Sequence, residues 1–194
     1  VNKTVNIIMA GVGGQGLVLM TDIISEVAFE AGYDVKTNDV VGLSQRGGKV
    51  WGSVRLGETI HSPNIAKGHA DFLLALEPLE GLRWQEYLKP QGQAFINTAE
   101  IYPVFAIAEA APYPYDFLDQ FRKDIVVSAH DVLALCLELG TPKVVNVMML
   151  GALAKQLPID SAIWRKVIGE SVPEKFFEEN MKAFEKGMTL GSLT

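Results

Sequence analysis

The feature that most constrains this chain is the run Gly11-Val12-Gly13-Gly14-Gln15-Gly16, set between an apolar segment of strand length and an amphipathic segment of helical period. Residues 5–10 are a short apolar run. Residues 17–31 place Leu17, Met20, Ile24, Val27, Ala28 and Ala31 on one helical stripe, closed by Gly32 in the position that a helix C′ residue takes. Residues 33–38 then read as a second strand. A strand, a glycine loop, a helix and a strand in that order make a βαβ unit and predict a parallel sheet. Glycines at such a loop permit a tight turn, close backbone approach to a ligand, and close packing of helix on strand. The N-terminus of the helix adds free N–H groups and partial positive charge, which favour an anion.

The next stretch changes period. Val50, Gly52, Val54 and Leu56 alternate with Trp51, Ser53 and Arg55, the period-2 pattern of a strand with two different faces. Gly57-Glu58 reads as a tight turn into Thr59-Ile60-His61, so a β-hairpin inserted into the α/β sheet is expected. Residues 70–76 form a continuous apolar run, as in a strand buried on both faces. A helix over 77–88, strands at 93–97 and 125–127, and a helix over 131–139 ended by Gly140 follow, with 110–115 as an irregular excursion. The remainder is helical. Residues 144–157 are strongly apolar and hold the small pair Gly151 and Ala152. Asp160 can cap a helix running to Val167. Ser171-Val172-Pro173-Glu174 matches a capping box ahead of a stripe of Phe177, Met181, Phe184 and Met188, which should pack on its own domain or on a partner. The expected class is α/β: a Rossmann-like, mostly parallel sheet with an inserted hairpin, in a single domain over 1–194 with a helical tail at about 143–190.

Several function classes fall away. A dinucleotide site needs an acid about 20 residues past the glycines, at the end of the second strand, to hold ribose hydroxyls. Asp39 is the available candidate, and it falls past the expected strand end. No Lys-Ser/Thr pair follows the glycines, which excludes a P-loop. A net charge of -6 without a block of Lys and Arg argues against nucleic acid or an anionic membrane as the partner. A single cysteine, Cys136 in an apolar helical run, excludes a self-contained iron–sulfur cluster or structural zinc site. It also fits a reducing cytoplasm. His61, His69 and His130 are scattered, without the close grouping of metal ligands. The apolar run at the N-terminus is too short for a signal peptide or a membrane span.

A second glycine segment, Val41-Gly42-Leu43-Ser44-Gln45-Arg46-Gly47-Gly48, should emerge at the carboxyl end of the second strand, where ligands and partners of open α/β sheets collect. Gly47-Gly48 admits backbone conformations closed to other residues, and Arg46 offers a donor fork suited to carboxylate or phosphate, or simply braces the loop. Neither segment supplies a nucleophile with its base: Ser44 and Ser53 have no evident histidine partner.

The segments M-A-G-V-G-G-Q-G, G-L-S-Q-R-G-G-K-V-W-G-S-V-R, A-D-F-L-L-A-L-E-P-L-E and V-N-V-M-M-L-G-A-L, in this order, resemble the gamma-type subunit or domain of pyruvate and related 2-oxoacid:ferredoxin oxidoreductases. With E-P-L-E-G-L-R and the tail V-P-E-K-F-F-E-E-N-M-K-A-F-E-K-G, the resemblance is strongest to the beta subunit of indolepyruvate:ferredoxin oxidoreductase. It implies an oxidoreductase of anaerobic metabolism. A large partner subunit there carries thiamine diphosphate with magnesium, and iron–sulfur clusters that pass electrons to ferredoxin, while the acyl product goes to coenzyme A. This chain would bind none of those cofactors alone, would be inactive alone, and would have no catalytic residue and no metal of its own. Gly11, Gly13, Gly14, Gln15 and Gly16, with Ser44, Gln45, Arg46, Gly47 and Gly48, are then expected to form one surface facing the partner's active-site cleft or holding the anionic part of coenzyme A. Two alternatives stay open: a free-standing Rossmann-type nucleotide-binding protein, and a purely structural interaction subunit.

Overall fold

The computed structural model describes residues 4–40, 48–100 and 116–191. They form a six-stranded sheet in the order β2-β3-β1-β4-β5-β6, from β1 (Val5–Val12), β2 (Asp34–Val40), β3 (Lys49–Gly57), β4 (Ala70–Ala75), β5 (Leu88–Asn97) and β6 (Val126–His130). β1, β4, β5 and β6 pair in parallel, whereas β3 runs antiparallel to both of its neighbours. β1 and β2 therefore point the same way, as the βαβ reading requires, with β3 threaded between them.

The expected hairpin is corrected by this arrangement. Residues 59–61 are not a strand; β3 pairs with β1 and β2 instead. The chain after Gly57 folds across one face of β3. There the Arg55 guanidinium donates to the Ser62 carbonyl at 2.8 Å and the Ser53 hydroxyl to the Pro63 carbonyl at 3.3 Å. A period-2 pattern states that a strand has two faces. It does not state which strands lie at its edges.

Alternation along β1 divides the core. Ile7 and Met9 face a cluster with α1 (Leu17–Glu30) and the C-terminal helices, while Ile8 and Ala10 face a second cluster with Leu73, Ala75, Ile96 and Phe121. α1 buries Met20, Ile23, Ile24, Val27 and Ala28. It ends where Gly32 takes φ 85° and the Gly32 and Tyr33 N–H groups return to the Phe29 and Ala28 carbonyls. α2 (Pro78–Trp84) follows β4 and continues into a short 3-10 turn at Gln85–Tyr87. Asp131 caps α3 (Val132–Glu138) by accepting from the Ala134 N–H at 2.9 Å, and Gly140 follows at φ 95°. On α3, Cys136 is fully buried, and burial pushes its thiol up to about 11.

α4 (Val145–Ala154) is buried all round from Asn146 onward and packs most closely on α6 (Phe177–Leu190), with Gly151 facing Gly187. Between them in sequence, α5 (Ser161–Ser171) is capped by Asp160, which accepts from the Ala162 N–H at 2.8 Å. The capping box expected at Ser171 does not form. Ser171 stays the last residue of α5, its hydroxyl donating to the Val167 carbonyl at 2.7 Å, which takes it away from the next helix start. The apolar stripe of α6 packs within the chain. Phe184 is fully buried 6.1 Å from Trp164, flanked by Asn180, Ala183 and Gly187, while Phe177 remains 38% exposed. Among the described residues no helix is long and apolar enough to cross a membrane. The expected irregular stretch 110–115 lies outside them.

Candidate functional site

β1 runs through Gly11 to Val12, so the glycine loop begins later than the apolar run suggests. Gly13 donates its N–H to the Gly48 carbonyl at 2.8 Å, and the chain then turns through Gly14 (φ 101°) to Gly16 (φ 81°), the N-cap of α1. The side chain of Gln15 folds inward. Its Oε1 accepts from the Val12 N–H at 2.6 Å and its Nε2 donates to the Leu76 carbonyl at 2.9 Å. Gly11 has no Cβ because one would stand 2.6 Å from that same Oε1. Asn97 also donates to the Leu76 carbonyl, at 3.2 Å, while its Oδ1 accepts from the Val132 N–H at the start of α3. A Cβ on Gly16 would lie 2.5 Å from Asn146 Nδ2. Internal packing thus accounts for Gly11 and Gly16, and positive φ for Gly14 and Gly16. The gap between β1 and β4, where connections leave in opposite directions and α/β sheets bind ligands, is crossed by Gln15. A cleft of about 290 Å³ remains beside it, lined by Gly14, Gln15, Asn97, Leu133, Lys143 and Asn146 among others.

Of the second segment, Ser44, Gln45, Arg46 and Gly47 lie outside the described residues. Gly48 is described, and its carbonyl is the acceptor for Gly13, so the two glycine segments meet there. Asp39 differs from its expected place. It sits inside β2, opposite Gly52 of β3, because β2 runs on to Val40. A ribose acid must hang beside the first strand's loop, yet β3 separates β2 from β1 by an added strand spacing of about 4.8 Å. That geometry counts against a dinucleotide.

A third group, next to this junction, was not singled out from the sequence. Trp51 of β3 lies 4.7 Å (ring centroids) from Trp84 of α2, which lies 4.9 Å from Tyr87. Under them Glu77 caps α2, accepting from the Glu80 N–H at 2.9 Å. The Glu80 side chain is only 1% exposed. One of its oxygens bonds Arg83; Oε2 is buried without a partner among the described residues. Burial pushes the Glu80 carboxyl above the ordinary carboxylate range, and Arg83 only partly opposes it. The available signal was two glutamates and an arginine directly after a buried strand. The aromatic partner Trp51, being distant in sequence, gave none.

This carboxyl predicts a pH dependence. Because folded Glu80 holds its proton more tightly than the unfolded chain does, the native chain loses stability as pH rises from the ordinary value, about 4.3, through the folded one. Glu80→Gln removes that loss. Urea denaturation over roughly pH 4–8 should show the difference between the two proteins moving in favour of the variant as pH rises. A pH-independent difference would sink the assignment.

Residues 6–190 match the pyruvate ferredoxin/flavodoxin oxidoreductase family. The chain is 37% identical to the indolepyruvate oxidoreductase subunit IorB of Thermococcus kodakarensis, covering 96% of this chain and 95% of that protein. It is 28% identical to the pyruvate synthase subunit PorC of Methanothermobacter marburgensis, covering 89% of each. In fold it is similar to the gamma subunit of a keto/oxoacid ferredoxin oxidoreductase from Geobacter sulfurreducens, at TM-score 0.74 and 24% identity over 96% of this chain and 98% of that one. It also matches 32% of a chain of the 2-oxoglutarate:ferredoxin oxidoreductase of Magnetococcus marinus, solved with 2-oxoglutarate, coenzyme A and succinyl-CoA, at TM-score 0.80 and 20% identity over 99% of this chain.

Proposed function

The chain belongs to the pyruvate ferredoxin/flavodoxin oxidoreductase family, and we propose that it is the small, cluster-free subunit of a thiamine-dependent 2-oxoacid:ferredoxin oxidoreductase acting on an arylpyruvate such as indolepyruvate. The observation that carries this reading is the junction of the two glycine segments at Gly13 and Gly48, on the carboxyl edge of the sheet. With Gly14 exposed beside it and the connection between β2 and β3 ending there, the junction supports a rim that a larger subunit would face. That subunit holds the thiamine diphosphate, magnesium and iron–sulfur clusters that decarboxylate the 2-oxoacid and send its electrons to ferredoxin. The single cysteine of this chain does not fit an iron–sulfur cluster. It is buried and held protonated, and no three of the described His, Cys, Asp or Glu residues group to hold a metal.

In this role Gly11, Gly13, Gly14, Gln15 and Gly16 shape the rim. Ser44, Gln45, Arg46, Gly47 and Gly48 close the partner's cleft, with Arg46 meeting the phosphates of coenzyme A. The isolated chain is inactive. In the complex reassembled from purified subunits, Arg46→Ala is expected to raise the apparent KM for coenzyme A by on the order of tenfold, the loss of one charge-assisted contact. An unchanged KM in complexes that assemble with native affinity refutes the contact. The inward hydrogen bonds of Gln15 favour a second reading, in which the same rim serves subunit docking alone. Under that reading Arg46→Ala weakens assembly and leaves the KM untouched.

A further inference from the structure

Trp51, Trp84 and Tyr87 are half-buried rings in successive contact beside the glycine junction, since Lys49, the first residue of β3, follows Gly48 directly. They wall a hollow of about 420 Å³ that opens to solvent. Its volume is that of a small-molecule site, in which apolar and aromatic walls are joined by a few polar groups that fix orientation. Which charges a ligand meets there depends on which are accessible. Glu77 is fully buried as the cap of α2, and the Glu80 side chain, 1% exposed, is bonded to Arg83. Burial also pushes Glu80 toward its neutral form, so it offsets Arg83 less than an exposed carboxylate would. Glu86 is exposed but pairs with Lys67 at 2.9 Å. Lys49 is exposed in the lining and makes no ion pair among the described residues. The accessible charge of the lining is therefore positive, in a chain whose net charge is -6.

We infer that this hollow binds a flat aromatic ring bearing one carboxylate, the ring against Trp51, Trp84 and Tyr87 and the carboxylate at Lys49 and Arg83. Aromatic side chains add offset or edge contacts with another ring to the gain from burying it. A guanidinium fork matches a carboxylate, and a lysine beside it adds a point charge. One lysine without an ion pair suits a single negative charge better than the several charges of a nucleotide. The open side leaves part of the ligand in water, so the dissociation constant of the isolated chain is expected on the order of 1 mM. This chemistry is shared by an arylpyruvate and by the arylacetate released when an arylacetyl thioester is hydrolysed. The inference concerns this chain alone, so its failure and that of the proposed function are separate results.

The test is proton–nitrogen correlation NMR of the purified full chain, titrated to about 10 mM with phenylpyruvate, phenylacetate or the uncharged phenylacetamide. The chain has three tryptophans, and Trp164, fully buried beside Phe184, serves as the internal reference for fold. Either acid is expected to shift the indole N–H signals of Trp51 and Trp84 saturably and to leave that of Trp164 in place. The acid that binds more tightly identifies the source of the ligand. Phenylacetamide, and both acids with Lys49→Gln, are expected to bind roughly three- to fivefold more weakly, the effect of one exposed charge pair. Equal affinity for acid and amide overturns the inference, as does native affinity in Lys49→Gln. So does a shift confined to Trp51, which also borders a separate hollow of about 200 Å³. The absence of any saturable shift removes the site.

Discussion

Replacing Gly187 by alanine should lower the unfolding free energy by about 3 kcal/mol, the upper end of the usual cost of overpacking. A Cβ at Gly187 would fall on the Met148 carbonyl, and one at Gly151 on the Phe184 carbonyl. Both obstacles are backbone atoms of facing helices, so relief requires moving α4 and α6 apart and opening the seam that buries Ala183 and Phe184. Helix propensity opposes this effect, favouring alanine over glycine by about 1 kcal/mol, and is too small to reverse it. Gly169→Ala provides the control. Its Cβ would meet the Phe177 ring at 2.8 Å, but that ring is 38% exposed and can swing outward. Urea denaturation should therefore separate a large loss for Gly187→Ala from a small change for Gly169→Ala; similar midpoints would contradict the close helix contact.

Gly16→Ala is the second large effect, expected at about 2–3 kcal/mol. A left-handed conformation costs an L-residue about 1–2 kcal/mol, and the added methyl would press on Asn146 Nδ2 as well. Gly14 separates the two contributions: its φ is 101° but nothing stands within 4 Å of its Cβ position, so Gly14→Ala carries only the backbone cost. Adding Asn146→Ala to Gly16→Ala should return the steric part alone. Full recovery in the double variant would mean that the backbone conformation at Gly16 is unstrained.

Much of this molecule is legible in its sequence because the decisive forces are local. The strand–loop–helix entry, the cap at Asp160, and the terminators Gly32 and Gly140 each depend on residues a few positions apart. The placement of β3 is not local. Its alternation is plain, but its pairing with β1 and β2, and not with residues 59–61, rests on contacts between segments distant in the chain. The site divides in the same way. Gly13 and Gly48 are visible as glycines, whereas their hydrogen bond follows from the β1–β3 register, which brings Val12 opposite Lys49. Gln15 reads in sequence as an outward contact, and the folded chain uses both ends of its amide to join Val12 to Leu76. Ser171 shows how a hydroxyl with two possible carbonyl or amide partners escapes a motif reading.

The antiparallel course of β3 has a consequence for how such a chain changes over time. β2 ends and β3 begins on adjacent strands, with Val40 facing Trp51, so the connection between them starts and finishes at neighbouring fixed points. Lengthening a loop so anchored raises its closure cost by only about 0.6 kcal/mol per doubling. The length of that connection can therefore change at little cost in stability, while the pairing of β3 with β1 and β2, made by main-chain hydrogen bonds, requires no matching change.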